Sequence, residues 1–121
     1  MLKSINVFGK NLKTCCSNPK TGFFRDGYCN TSKKDYGIHT VCVLITEDFL
    51  KFSKAVGNDL STSNPGFNFK GLKPGDKWCL CALRWKQALD NNVAPPVFLD
   101  STHHRTLEVL DLSDLQKYEV N

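Results

Sequence analysis

The sequence predicts a single α+β domain over residues 1–121, with a small mixed or antiparallel sheet, two or three short helices and two long loops. Three observations lead to this class. The chain has 121 residues, the size of one domain, with 40% hydrophobic and 23% charged residues, as in ordinary globular proteins. Strand-like and helix-like apolar patterns follow one another in no regular order. Two long segments rich in Gly, Pro, Asn and Ser separate them.

The first half of the chain predicts two strands around a long loop. "SINVF" (residues 4–8) is a short candidate strand. Residues 17–37 hold many turn-forming residues, which favours a loop folded back on itself. "IHTVCVLI" (residues 38–45) is apolar and β-branched, which is typical of a buried strand.

A helix is predicted directly after this strand. Thr46 is a residue type preferred at the N-cap, and Glu47 and Asp48 fall in the first turn, where the helix dipole favours acidic groups. Phe49 and Phe52 then recur at helical spacing, which indicates one buried face.

The second half begins with another long loop, over residues 58–76, which ends in a Pro-Gly turn. Six consecutive positions without a polar side chain, 78–83, predict an interior strand. Short apolar stretches then predict the remaining elements. These are a helix over residues 84–91, strands at 96–100 and 106–110, and a last helix that a Ser113/Gln116 capping box would start.

The chain contains six cysteines, at positions 15, 16, 29, 42, 79 and 81. An even number permits a disulfide framework, but no secretory signal is evident, and cytoplasmic thiols stay reduced. The paired Cys-x2-4-Cys knuckles of structural zinc sites do not occur. The sequence therefore predicts Cys79 and Cys81 as buried, reduced core thiols, with no metal and no cofactor. Disulfides and zinc remain the alternatives.

The charge and hydropathy of the chain limit the classes of partner that it can bind. No apolar run approaches the ~20 residues that a membrane span needs, so we predict a cytoplasmic protein without a membrane partner. The formal net charge of +4 is uneven: residues 1–40 hold seven Lys and Arg against two acids, and residues 91–121 hold two against five. This imbalance is too small to favour nucleic-acid binding, which stays a third hypothesis.

Polar residues in the two long loops are the candidates for ligand binding. Arg25 and Asp26 stand between Gly22 and Gly27, where the backbone can approach a ligand closely. A local ion pair that closes a tight turn is the alternative. Further candidates are three residues at the edges of predicted elements, namely Asn58, Asp59 and Arg84. Capping of turns would explain Asn58 and Asp59 equally well.

Three residues are candidates for catalysis. A thiol with an imidazole base makes a nucleophile, which draws attention to Cys29 and to His39, at the start of the buried strand. His103 lies in the polar segment "DSTHHRT", where a surface turn is the alternative. Common nucleotide-binding, zinc-protease and esterase motifs do not occur.

Several long motifs occur in a fixed order along the chain: "TGFFRDGYCNT", "HTVC", "FLKFSKAVGNDLST", "GLKPGDKWCLCALRW", "APPVFLDSTH" and "LSDLQKY". Together they closely resemble the small, mainly bacterial proteins of the domain of unknown function 2237 family, from about residue 6 to 118. The resemblance implies a stand-alone single domain. It implies no activity, ligand or catalytic residue.

The leading hypothesis from the sequence is a small binding module for a polar or anionic small molecule, or for a protein partner, with a cleft between the two long loops. It requires Arg25 and Asn58 to lie around one cleft. The alternative is a small enzyme with a Cys/His-based site in the same cleft, and the sequence alone leaves the choice open.

Overall fold

The computed structural model describes residues 4–18, 20–67, 69 and 71–120. Its centre is a two-stranded antiparallel sheet of β1 (His39–Leu44) and β2 (Lys77–Cys81). The described residues also form three helices, α1 (Glu47–Ala55), α2 (Ala82–Asp90) and α3 (Leu112–Gln116), and 3-10 turns at Pro65–Phe67, Leu99–Ser101 and His104–Glu108. The predicted α+β class is confirmed. None of these helices has the length and apolar character needed to cross a membrane.

One face of the sheet packs against the helices. In the antiparallel register Val41 pairs with Leu80 and Val43 with Trp78, so the four side chains project to the same side. They belong to the main core, which the two longer helices and the C-terminal segment complete. Its largest fully buried members are Trp85, Phe49, Ile45, Leu80, Leu99 and Leu115.

The opposite face of the sheet contains two disulfide bonds. Cys42 and Cys79 are directly opposed across the two strands, yet each is bonded to a cysteine of the N-terminal segment, Cys15–Cys42 and Cys29–Cys79. The sulfurs of Cys15, Cys29 and Cys79 lie within 4.8 Å of one another, so the two bridges are adjacent. All four residues are at most 4% exposed and form a second small core.

The prediction of Cys79 as a reduced thiol is therefore wrong. The residues before His39 contain no helix and no regular strand among those described, so few backbone ladders hold this segment. Two disulfides attach it to the sheet instead. The other two cysteines, Cys16 and Cys81, are free and half-buried, so the prediction of a reduced Cys81 is confirmed and that of a buried Cys81 is wrong.

α1 forms where the sequence predicts it. The Thr46 hydroxyl accepts a hydrogen bond from the Phe49 backbone N–H (3.2 Å), Glu47 and Asp48 occupy the first turn, and Phe49 and Leu50 are buried.

The predicted strand over residues 78–83 is shorter than expected. β2 ends at Cys81 and α2 begins at Ala82. Helical spacing decides this boundary, because Ala82, Trp85 and Ala88 are all buried while Leu83 is 57% exposed. An apolar run does not distinguish a strand from the start of a helix.

Three further predicted strands are absent from the described residues. Ile5 and Val97 form only isolated bridges, and residues 106–110 lie largely in the 3-10 turn His104–Glu108. Residues 96–103 still run along the outer edge of β1, where the Phe98 and His103 N–H groups donate to carbonyls of the strand. The last helix is present, but Asp111 rather than Ser113 stands at its N-cap.

Candidate functional site

A cavity of about 440 Å³ opens beside the end of the sheet where β2 passes into α2. This volume lies in the range of small-molecule sites, roughly 300–1,000 Å³. Eleven residues line the cavity, namely Gly22, Phe23, Arg25, His39, Asn58, Leu60, Trp78, Cys79, Leu80, Cys81 and Arg84. Both long loops contribute, and Arg25 and Asn58 lie around the same cavity.

A glycine-dependent turn brings Arg25 to this cavity. Gly22 has φ +104°, and a Cβ there would collide with the Tyr28 carbonyl oxygen, so only glycine suits the position. Arg25 itself lies in the left-handed region, at φ 53°. Its guanidinium carbon sits 5.0 Å from the centre of the Trp78 ring, which fixes the charge by a cation–π contact.

Asp26 has a structural role instead. Its carboxylate accepts a hydrogen bond from the Tyr28 backbone N–H (3.0 Å) and closes the turn. Asp26 does not line the cavity. The local Arg25–Asp26 ion pair that the sequence suggested is not among the ion pairs of the described residues.

Arg84 approaches the cavity from the first turn of α2. Its Nη1 donates a hydrogen bond to Gln87 Oε1 (3.3 Å), and the residue is half-buried. Among the described residues, neither Arg25 nor Arg84 forms an ion pair with a carboxylate. Two guanidinium groups thus line one cavity that has no acidic residue among its described lining residues.

His39 is held by a buried carboxylate that the sequence reading missed. Its Nδ1 lies 2.6 Å from Oδ1 of Asp35, which is fully buried. The other oxygen of Asp35 accepts hydrogen bonds from the Thr31 hydroxyl and from the His39 backbone N–H. The Arg105 guanidinium donates hydrogen bonds to the Thr31 hydroxyl and to the Asp35 backbone carbonyl, and it therefore links both residues of this network. The spacing of four residues between Asp35 and His39 was the feature of the sequence that could have indicated this pair.

Two of the catalytic candidates lie elsewhere. Cys29 cannot act as a thiolate, because its sulfur is bonded to Cys79. His103 is buried, and its Nδ1 accepts a hydrogen bond from the Arg105 backbone N–H, which starts a 3-10 turn. The structure brings a different cysteine to the cavity, Cys81.

Asn58 lines the cavity, whereas its neighbour Asp59 turns away to organise the loop. The Asp59 carboxylate accepts hydrogen bonds from the backbone N–H and hydroxyl groups of Ser61 and Thr62. The Thr62 hydroxyl first, and Ser61 second, lower the pKa of Asp59 from 3.8 to about 2. Asp59 is thus a turn-forming residue and not a cavity residue.

This loop predicts a measurable acid response. Because the pKa of Asp59 is lowered by folding, its stabilising effect is complete above pH ~4 and is lost as the pH falls through about 2. We expect Thr62→Val to raise the pKa of Asp59 toward 3.8. Carboxyl carbon shifts in an NMR titration measure it, and Ser63→Ala, whose hydroxyl bonds elsewhere, is the control. A wild-type midpoint near 3.8 would contradict the hydrogen bonding described here.

The fold and cavity define a small α+β domain with a cationic, partly aromatic pocket beside two buried disulfides. The family model described as "Uncharacterized protein conserved in bacteria (DUF2237)" matches residues 5–119. The chain belongs to this family, as its motifs indicated. No curated protein matches the chain.

Proposed function

We propose that this protein binds a small anionic molecule, carrying a carboxylate or a phosphate, in the cavity between Arg25 and Arg84. One observation carries the proposal: two of the eleven lining residues are arginines, a third is a histidine, and none is acidic. Charges of one sign in a concave site attract an oppositely charged ligand.

The chemistry of the lining favours a planar or oxygen-rich anion. A guanidinium group presents a fixed fork of N–H donors that matches carboxylate and phosphate oxygens. The ring of Trp78 holds the Arg25 guanidinium in place, which reduces the ordering that binding would otherwise require. The amide of Asn58 offers both donors and acceptors for the neutral part of such a ligand.

The experiment is a titration with inorganic phosphate and with succinate, followed by amide and indole shifts in ¹H–¹⁵N NMR spectra. We expect saturable shifts at Arg25, His39 and the Trp78 indole. Arg25→Gln and Arg84→Gln should each weaken binding by about tenfold, because each removes charged hydrogen bonds. Lys86→Gln is the matched control, since it removes the same charge from an exposed position on α2.

Two outcomes would contradict the proposal. Binding that is unchanged in both arginine variants would place the anion elsewhere. An equal loss in Lys86→Gln would show that only the overall charge attracts it.

For the compartment, we keep the cytoplasm as part of the proposal. Disulfides are rare there, because thiol reductants attack an accessible sulfur. In this protein the four bonded cysteines are at most 4% exposed, and such burial slows the approach of a reductant to their sulfurs.

A further inference from the structure

A β-bulge makes His39 and Cys81 opposed residues at the end of the sheet. The regular ladder pairs Val41 with Leu80, so an uninterrupted ladder would put Thr40 opposite Cys81. The irregularity between His39 and Val41 makes His39 the partner instead. Directly opposed residues have Cβ atoms about 5 Å apart, and both residues line the cavity, so His39 and Cys81 are adjacent positions of its wall.

The surrounding backbone is arranged to hold this pairing. The displaced Thr40 side chain hydrogen-bonds to the Thr106 hydroxyl (2.7 Å). Ile38, a β-branched residue, has φ 50°, and such a conformation costs energy that its surroundings must supply. β-Bulges occur often next to active sites, where they re-aim a side chain.

Asp35 gives His39 the orientation of a general base. An ionised carboxylate only accepts hydrogen bonds, so a neutral His39 ring beside an ionised Asp35 carries its proton on Nδ1, toward Asp35. Nε2 is then left with its lone pair and can take a proton. Asp35 is itself fixed by Thr31 and by the backbone, so the ring is held in one position.

Cys81 has the features of a reactive thiol rather than of a core residue. It is free, half-buried and lines the cavity that contains Arg25 and Arg84. It stands at the N-cap of α2 without capping it through its side chain. The Ala82 N–H of the first turn donates to the Ile38 carbonyl (2.9 Å), and the next first-turn N–H groups lack intrahelical acceptors and can stabilise a developing negative charge.

We infer that Cys81, His39 and Asp35 form a nucleophile, base and positioning group for acyl transfer from a small anionic acyl compound. This inference rests on the proposed function, since the two arginines would hold the anionic group of the substrate. Beyond binding, the inference says that the bound molecule reacts with Cys81.

The covalent reaction needs no reagent other than the acyl compound and water. His39 Nε2 takes the thiol proton as Cys81 Sγ attacks the carbonyl carbon, and a sulfur–carbon bond forms. The bond from that carbon to the leaving group breaks, and the leaving group departs with the electron pair and the proton from His39. Water then hydrolyses the thioester to the acid and regenerates the thiol.

The test compares the two free cysteines of the oxidised, native protein. We expect iodoacetate to alkylate Cys81 at least about tenfold faster than Cys16, as measured by peptide mass spectrometry. The rate ratio of iodoacetate to neutral iodoacetamide should also be higher at Cys81 than at Cys16. Arg25→Gln should remove this preference for the anionic reagent while iodoacetamide still reacts. With 4-nitrophenyl acetate, nitrophenolate should be released with an S-acetyl group on Cys81, and Cys81→Ser should abolish it.

Two variants separate chemistry from structure. His39→Ala should slow alkylation of Cys81 at least about tenfold, and added imidazole should restore it. Asp35→Asn should move the imidazole proton from Nδ1 to Nε2, which the ¹⁵N shifts of His39 report, and should slow the reaction in a chain that stays folded.

The outcomes distinguish this inference from the proposed function. If Cys81 reacts no faster than Cys16, or imidazole restores nothing, the nucleophile and base are wrong, and the phosphate titration still decides anion binding. If Cys81 reacts fast but with equal preference to Cys16 for the two reagents, the thiol chemistry stands and the anion site is wrong. Fast alkylation without acetylation overturns acyl transfer.

Discussion

Removal of the Cys29–Cys79 disulfide is expected to lower the free energy of unfolding by about 4 kcal/mol. The bridge closes a loop with a sequence separation of 50 residues, and the entropy lost by the unfolded chain gives this magnitude. The Cys15–Cys42 bridge, with a separation of 27, should contribute about 3.5 kcal/mol. The double variants Cys29→Ala/Cys79→Ala and Cys15→Ala/Cys42→Ala avoid mispaired thiols, and urea unfolding followed by circular dichroism measures both.

The effect should extend to the cavity. The turn that carries Arg25 lies between Cys15 and Cys29, so each end of this segment is bonded to a different strand. Loss of either bridge should therefore weaken phosphate binding as well as stability. Cys16→Ala is the matched control, because this cysteine is free, and it should change the free energy of unfolding by less than about 1 kcal/mol.

A thiol count decides whether the pairing is correct. The denatured but unreduced protein should expose two reactive thiols, those of Cys16 and Cys81. Six reactive thiols with a stoichiometric amount of bound zinc would contradict the disulfides. In that case the crowded sulfurs of Cys15, Cys29 and Cys79 would be metal ligands.

Trp85→Ala is expected to lower the free energy of unfolding by about 3–5 kcal/mol, the range found when large aromatic residues are removed from a core. The side chain is fully buried between α2 and the C-terminal segment, where its ring meets Tyr118 edge-on at 5.6 Å. Its Nε1 also donates a hydrogen bond to the Pro95 carbonyl (3.1 Å). The void left by the missing indole and the unpaired Pro95 carbonyl both add to the loss of stability in Trp85→Ala.

Trp85→Phe is the matched control, since it keeps an aromatic ring but not the hydrogen bond, and it should cost clearly less than Trp85→Ala. Circular dichroism in urea measures both variants without relying on tryptophan fluorescence. A loss below about 1 kcal/mol for Trp85→Ala would contradict the described packing. Because Trp85 follows Arg84 on α2, a weakened helix should also loosen the cavity.

β1 and the helices could be predicted from the sequence, whereas the strands predicted at residues 4–8, 96–100 and 106–110 do not form among the described residues. β1 follows from a run of β-branched residues, and α1 from the Thr46 cap with Phe49 on its buried face. These patterns depend on neighbours within a few residues, which is the range that periodicity and capping describe. The boundary at Cys81 was wrong because alternation and helical spacing both permit an apolar run there.

The candidate site could be predicted only in part. Arg25, Asn58, Arg84 and His39 line one cavity, and all four were candidates from the sequence. Asp26 and Asp59 stabilise their own turns instead, which their residue types equally permit.

The sequence by itself determined the α+β class, the strand β1, the helix α1 and the family, because each depends on short-range patterns or on contiguous motifs. Only the tertiary structure decided which cysteines pair, since the bridges join residues 27 and 50 positions apart. The bulge that pairs His39 with Cys81 also depends on contacts distant in sequence, such as the hydrogen bond between the Thr40 and Thr106 hydroxyls. Contacts of this kind are fixed by the path of the whole chain and leave no local periodic signal.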